Sequence, residues 1–494
     1  MAITRPTVAR RGSPLLAALL LSVSCTGGPP APEGGMPVAP RGAPSALARR
    51  LSGAVTVPGI RRHQRALQRI ADGSHGNRAA GLPGYGRSVR YVATRLRSAG
   101  YEVSFNRVRI ETWAEARPTT LAPAGPSETD LVNGREFSLM AYSGGGVVTG
   151  RVTPVDRAGD SSGCEPDDFG AFPDGDIALL GLANCPYLVQ AVNAEAAGAG
   201  AVVVAAPEGA ADSAPVFPGT LGGDAEVAIP VVTASEAAGA SIGRLAEGGG
   251  RLMVSARVVR GIRPARSVVA DRPGASDKVV MAGAHLDSAG GGPGINDNGS
   301  GAATILEMAL SLARLDPDSR NRVRFGFWAA EEEGLLGSTA YIRDLRGAER
   351  EDIALYLNFD MLGSPNFVRF VYAIAGPDPA TPYELGTAVV EARFARYFRQ
   401  RHLAIEPIPL EGGSDHAAFS AAGIPVGGLF SGAEGMKSPS EAEVFGGSAG
   451  EPYDPCYHLA CDTFDNNSNL GLGQLAKAAA YALGTYADQP DPPS

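Results

Sequence analysis

From residue 263 onward, apolar runs of strand length alternate with stretches of helix length: Lys278 to Gly283, Ala302 to Arg314, Arg322 to Trp328, Ile353 to Asp360, Thr381 to Arg399 and Gln474 to Tyr486. Continuously apolar strands need cover on both faces, and interleaved helices supply it. The pattern therefore predicts an α/β fold, a mixed β-sheet sandwiched by helices. Polar residues collect just beyond those strands: His285 after one, Glu331 and Glu332 after another, Asp360 at the end of a third. Ligands of open α/β sheets bind beyond the carboxyl ends of the strands, so the same feature nominates the functional residues.

Each cluster has a plain alternative. Asp297 lies in Asn296-Asp297-Asn298-Gly299-Ser300-Gly301, which alone is a turn leading into a helix. His285 alone is a buried, hydrogen-bonded histidine. Together, about a dozen residues apart on Gly-rich turns, they offer imidazole and carboxylate to a divalent metal. Glu331-Glu332-Glu333 could simply favour a helix N-terminus. Adjacent side chains diverge, however, so one can bind metal while its neighbour carries protons. Asp360 ends an apolar run and needs a partner there. Cys456-Tyr457-His458-Leu459-Ala460-Cys461 is either a small surface staple or a means of directing Tyr457 and His458. Charge counting favours two metals. Asp297, Glu332 and Asp360 with a bridging hydroxide balance two Zn²⁺, whereas one ion leaves a buried site net negative.

A chain of 494 residues exceeds one hydrophobic core and predicts two domains plus a processed terminus. An apolar share of 44% with mean hydropathy near zero excludes a multi-span membrane protein. A net charge of −9 argues against a nucleic-acid partner. Arg5, Arg10 and Arg11 precede the apolar Leu15 to Val23, too short for a permanent span, and residues 1–25 read as an export signal. Its end, Leu21-Ser22-Val23-Ser24-Cys25, resembles the box at which bacterial lipoproteins are cut and lipidated, giving a possible membrane tether through Cys25. The other reading is an ordinary secretory signal. Residues 26–54 read as a Pro/Gly-rich tether. An exported chain should leave no reactive thiol, and of five cysteines, Cys164 can pair with Cys185 and Cys456 with Cys461.

Residues 55–112 read as the first part of the main domain, with helices from about 58 to 72 and from Tyr85 to Ala99, then a strand from Tyr101. Between 113 and 262 short β-like runs alternate with glycine and proline around one helix, Leu188 to Ala197, without a charged or histidine cluster. Gly175-Asp176-Ile177-Ala178-Leu179-Leu180, Cys185 and Asn193 to Ala199 make this segment resemble the protease-associated (PA) domain, a smaller β-rich insert. The main domain resumes at 263–489.

The clusters in this order, with Gly76-Asn77-Arg78-Ala79, Asn358 to Asn366 and Ser414-Asp415-His416, resemble the exported double-zinc aminopeptidases of the leucine aminopeptidase type, close to the secreted Streptomyces form. The resemblance implies two Zn²⁺ bridged by Asp297, with His285 and Asp360 completing one site and Glu332 and His458 the other. It implies Glu331 as general base, Asp287 as an orienting carboxylate, Tyr457 as a hydrogen-bond donor to the tetrahedral intermediate, and a cis peptide at Asp297-Asn298. Met361 and Phe430 would line an apolar pocket for Leu, Met or Phe. Substrates would be peptides or proteins with free N-termini, acted on by a monomer. Two departures stand out: Glu333 where an apolar residue is usual, and Gly413 where relatives carry arginine. Gly473 and Lys477 occupy the places of calcium-binding acids, so calcium is not expected. A carboxypeptidase on the same scaffold and a non-catalytic binding protein are the competing readings.

Overall fold

A computed structural model describes residues 45–125, 130–156, 161–207, 219–223, 225–315, 318–374, 381–410 and 412–493. The export signal, Cys25 and most of the expected tether lie outside them. The chain opens with helices α1 (Ala46–Ala54), α2 (Val57–Asp72) and α3 (Pro83–Ser98). There follow β1 (Glu102–Pro123), β2 (Phe137–Leu139), β3 (Gly146–Pro154), β4 (Ile177–Gly181), α4 (Tyr187–Ala196), β5 (Ala201–Ala205), β6 (Val231–Ala234) and α5 (Glu236–Glu247). The third group is β7 (Arg251–Arg272), β8 (Ser276–His285), α6 (Gly299–Leu315), β9 (Asn321–Trp328), α7 (Leu336–Asp344), α8 (Gly347–Glu351) and β10 (Ile353–Phe359). The last is β11 (Phe370–Ala373), α9 (Pro382–Arg399), β12 (Glu406–Pro409), α10 (His416–Ala421), β13 (Val426–Phe430), α11 (Pro439–Phe445) and α12 (Asn469–Asp488).

The strands run in the order β12-β11-β13-β10-β8-β9-β7-β3-β4-β5-β6-β2, with β1 paired to β7. At the centre of the larger half, β9, β8, β10 and β13 are mutually parallel. Their side chains are buried on both faces, as the apolar runs require: every residue of β10 is buried, and α6 and α12 contribute Ile305, Leu312, Leu475 and Leu483 to the same core. In the insert β3, β4, β5 and β6 are also parallel, packed by α4 on one side and α5 on the other.

The expected boundaries at 113 and 262 fall inside strands. β1 and β7 form one antiparallel ribbon from Glu102↔Asp271 to Pro123↔Leu252, so the insert grows out of the main sheet along continuous backbone hydrogen bonds. Helix α5 carried little sequence signal, because its Ala/Gly-rich face packs through small residues such as Ala238 and Gly239. Its start is set by Ser235, whose hydroxyl accepts from the Ala238 N–H at 3.2 Å.

The tether expected to reach residue 54 is corrected by α1. Ser45 caps this helix, accepting from the Ala48 N–H at 3.0 Å, and Leu47, Ala48 and Leu51 are buried against the core that includes α12. Ser52 Oγ donates to the Lys477 carbonyl at 2.9 Å, tying the two helices. The run rich in Pro and Gly thins out after Pro44, and two turns of apolar surface beyond it suffice to dock. Leu51 has no exposed surface, so Leu51→Ala should lower the stability of the folded chain by about 2–5 kcal/mol in urea unfolding. A tether residue would change it by no more than about 0.5 kcal/mol.

Candidate active site

Three neighbouring parallel strands deliver the first donors. His285 is the last residue of β8, Asp360 follows the end of β10, and Glu331 and Glu332 follow β9. Asp297 arrives on the turn before α6, and Asn298 caps that helix, its Oδ1 accepting from the Gly301 N–H at 2.9 Å. The same Asn298 donates to the Phe359 carbonyl at 3.0 Å and accepts from the Met361 N–H at 3.2 Å, locking the Asp297 turn onto the strand end that bears Asp360. The Asp297-Asn298 peptide is cis. His458 comes from the far end of the chain, on the Cys456–Cys461 disulfide loop; Cys164 and Cys185 form the second disulfide.

Asp297 stands at the centre. Its Oδ1 lies 3.2 Å from His285 Nε2 and its Oδ2 lies 3.2 Å from His458 Nε2. His285 Nε2 is also 3.3 Å from Asp360 Oδ1, and His458 Nε2 is 3.0 Å from Glu332 Oε2. Glu331 Oε2 stands further off, 3.9 Å from His285 Nε2. Donor atoms of His285, Asp297 and Glu332, and of His285, Glu331 and Asp360, lie within 4.8 Å of one another. One ring nitrogen cannot serve two ions. The shorter distances pair Asp360 with His285 and Glu332 with His458, with Asp297 between the two histidines.

Asp287 sits behind His285, with Oδ1 3.6 Å from Nδ1, and accepts from the Glu331 N–H at 3.4 Å, so one carboxylate faces both the imidazole and the glutamate turn. Tyr457 stacks on His458 with ring centroids 3.8 Å apart. All these donors except Asp287 open into a cavity of about 450 Å³ that Tyr457, Met361 and Phe430 also line, together with Tyr372, Ile408 and His416. Among the described residues that line it there is no lysine or arginine.

Electrostatics make this a cation site. Burial pushes the Asp297 carboxyl up, but hydrogen bonds from His285 and His458 outweigh it and hold the group well below the usual carboxylate range. Burial raises Glu331 well above its ordinary value, aided by Asp360, Asp415 and Asp297 and opposed by His285. Burial and Asp297 raise Glu332 as well. The acceptors Glu332 Oε1 and Asp360 Oδ1 are buried without a hydrogen-bond partner. Crowded carboxylates with unsatisfied buried oxygens, interleaved with imidazoles, are the donor set of a divalent cation, and the residues present fit one.

The sequence matches the model of peptidase family M28 over residues 267–483 and that of the PA domain over 148–242. A protein of Pseudomonas aeruginosa named aminopeptidase is 41% identical over 421 residues, covering 84% of this chain and 78% of its own. The chain belongs to peptidase family M28. Another relative, the probable lipoprotein aminopeptidase LpqL of Mycobacterium tuberculosis, is 39% identical over 88% of this chain and 85% of its own length. Among solved structures, the aminopeptidase from Aneurinibacillus sp. strain AM-1 shares the fold, with a TM-score of 0.66 at 24% identity, covering 88% of this chain and 95% of that one.

Around these donors stand further residues, of which Asp462 carried the least signal in the sequence. Asp462 accepts the backbone N–H groups of Asn296 at 2.8 Å and Asp297 at 2.9 Å, clamping the central turn; its place directly after Cys461 is the one available hint. Ser414 donates to Asp360 Oδ2 at 2.7 Å and accepts from Asn358 Nδ2 at 2.9 Å. Glu333, the departure from the family pattern, is matched by Arg263 at 2.8 Å on β7. Gly413 meets nothing within 4 Å of where a Cβ would sit, so the missing arginine leaves open space.

The metal-free site should be sensitive to alkali. His458 is pushed up to about 10 by hydrogen bonds to Asp297 and Glu332, so its proton stabilises the fold fully below about 6.5, and that stability is lost as pH rises through 10. Asp415 and Asp462, raised to about 7 by burial, lose stability in the same direction between about 4 and 7. The thermal midpoint of chelator-treated protein should therefore fall steadily from about pH 5 to about pH 9. A loaded site, whose ligands are already deprotonated, should flatten the curve. A flat or rising metal-free curve between about pH 6.5 and about pH 9 would contradict this charge arrangement.

Proposed function

We propose that this chain is an exported aminopeptidase that removes the first residue of peptides, preferably a large apolar one, at a site holding two zinc ions. The observation that carries the reading is Asp297, which turns one oxygen to His285 and the other to His458 at 3.2 Å each while Glu331 opens into the same cavity. Zinc would be held by His285, Asp360 and Asp297 on one side and by Glu332, His458 and Asp297 on the other, and when bound it polarises the scissile carbonyl and acidifies water. The remaining steps belong to side chains. Glu331 takes a proton from the attacking water and returns it to the leaving amine. Its burial-raised affinity for protons suits that exchange. Asp287 orients the His285 ring, and Tyr457 donates to the oxyanion as the carbonyl becomes tetrahedral.

The acidic surroundings favour a substrate that presents a positive α-amine, and Met361 and Phe430 favour an apolar side chain beside it. With no lysine or arginine among the described lining residues, no permanent cation there would pair with a C-terminal carboxylate, which disfavours the carboxypeptidase reading. The relatives' names support the same activity, including the leucine aminopeptidase 2 of Trichophyton rubrum, 33% identical over 417 residues. Export is supported by the two disulfides. Lipidation at Cys25 is supported by the name of LpqL. No helix among the described residues is long and apolar enough to cross a membrane.

Purified protein should contain two zinc ions per chain and cleave Leu-p-nitroanilide but not its N-acetylated form. Glu331→Gln should keep both ions while kcat falls about 10²–10⁴-fold. Equal cleavage of the free and acetylated substrates would sink the aminopeptidase reading, and an active Glu331→Gln enzyme would sink the role of that residue.

A further inference from the structure

Arg78 has no exposed surface, and it belongs to neither of the loops it binds. It comes from the segment between α2 and α3. Its guanidinium donates Nη1–H to the Leu286 carbonyl, Nε–H to the Pro293 carbonyl at 2.8 Å, and Nη2–H to the carbonyls of Gly294 and, at 3.5 Å, Asp287. Its own backbone N–H donates to Ser288 Oγ at 3.0 Å, and that hydroxyl also reaches the Gly292 carbonyl at 3.0 Å. Leu286 and Asp287 follow His285 directly, whereas Pro293 and Gly294 lead into Asp297. One planar cation thus bridges the two turns at either end of the glycine-rich β8–α6 connection, the first beside His285 and the second leading to Asp297. Gly294 permits the approach: a Cβ there would lie 2.4 Å from the Ser288 Cβ and 3.1 Å from Arg78 Nη2, at φ +61°.

The acids facing Arg78 are Asp287, Asp462, Asp297 and Glu332, so it also places a permanent positive charge behind the ligands. It does not line the cavity. A lysine could keep the charge but, with one ammonium, could not span both loops in a fixed plane. We propose that Arg78 is a positioning residue for the metal centre, a buried fork that sets the separation of His285 and Asp297 before any ion arrives. The inference rests on the two-zinc reading above.

The test measures zinc affinity by chelator competition on the full chain, with Arg78→Lys and Arg78→Ala. Both variants should bind zinc about 10–100-fold more weakly than wild type. Millimolar guanidinium, filling the vacated space, should restore much of the loss in Arg78→Ala and none in Arg78→Lys. A role confined to folding would lower thermal stability while leaving zinc affinity unmoved. Should Arg78→Ala fail to fold, Arg78→Lys decides alone: affinity within about twofold of wild type overturns the proposal. So does weakened binding in a folded Arg78→Ala protein that guanidinium leaves unchanged. A wild-type chain that binds no zinc would instead overturn the functional reading.

Discussion

Like charges confined away from water are the constraint on which this structure turns. Asp297, Glu331, Glu332 and Asp360 share one cavity, with Asp287, Asp415 and Asp462 buried close behind. Carboxylates at such separations cannot all ionise unless something positive lies between them. The two imidazoles relieve part of the repulsion, which is why the Asp297 carboxyl is held below the usual carboxylate range while burial pushes that of Glu331 above it. Zinc at the proposed positions would relieve the rest, leaving Glu331, the glutamate that stands 3.9 Å from His285, free to exchange a proton. The division of labour between adjacent glutamates follows from distance and burial.

A centre of this kind must be held open against its own repulsion, and the holding is done by backbone groups. Asp462 clamps two consecutive amides, those of Asn296 and of the central Asp297. From the same turn, Asn296 Oδ1 accepts from the Gly363 N–H at 3.0 Å, and Ser300 Oγ accepts from the Leu362 N–H at 2.8 Å. Beside or among the donors, Ala330, Met361 and His458 adopt left-handed backbone (φ +57°, +46° and +59°) although none is glycine. Each adjoins or is a donor, and such conformations persist only where the surroundings over-determine them. The dense polar network around residues 286–300 and 454–467 supplies that determination.

Much of this was legible in the sequence because the donors sit where periodic structure ends. His285, Glu331, Glu332 and Asp360 each terminate an apolar run, and the strand ends bring them together whatever the detail of the loops. The less legible parts are those whose signal is spread across the chain. Arg78 stood out only as part of the Gly76-Asn77-Arg78-Ala79 motif, and what it does needs its four carbonyl partners, 208 to 216 residues away. Asp462 reads as one more surface acid until the disulfide loop folds it under Asp297. Helix α1 was hidden by the Pro/Gly-rich segment before it, and α5 by small residues that bury little area each. The ribbon β1–β7 escaped because its outer stretch, exposed at Val259 and Ile262, lacks the alternation of a half-buried strand.

The ribbon also bears on what the PA domain can do. Among the described residues, those lining the cavity all lie between His285 and His458, so the insert contributes none of them. Next to where β7 leaves the insert, Arg263 meets Glu333, which adjoins Glu331 and Glu332. That ion pair is about one-third exposed on each side, and pairs so wetted contribute little on their own. Glu331 is instead held from the opposite direction, by the buried Asp287 carboxylate accepting its backbone N–H. Among the described residues, the donors and the lining of the cavity therefore come from the larger half of the molecule, and Glu331 is positioned from within that half.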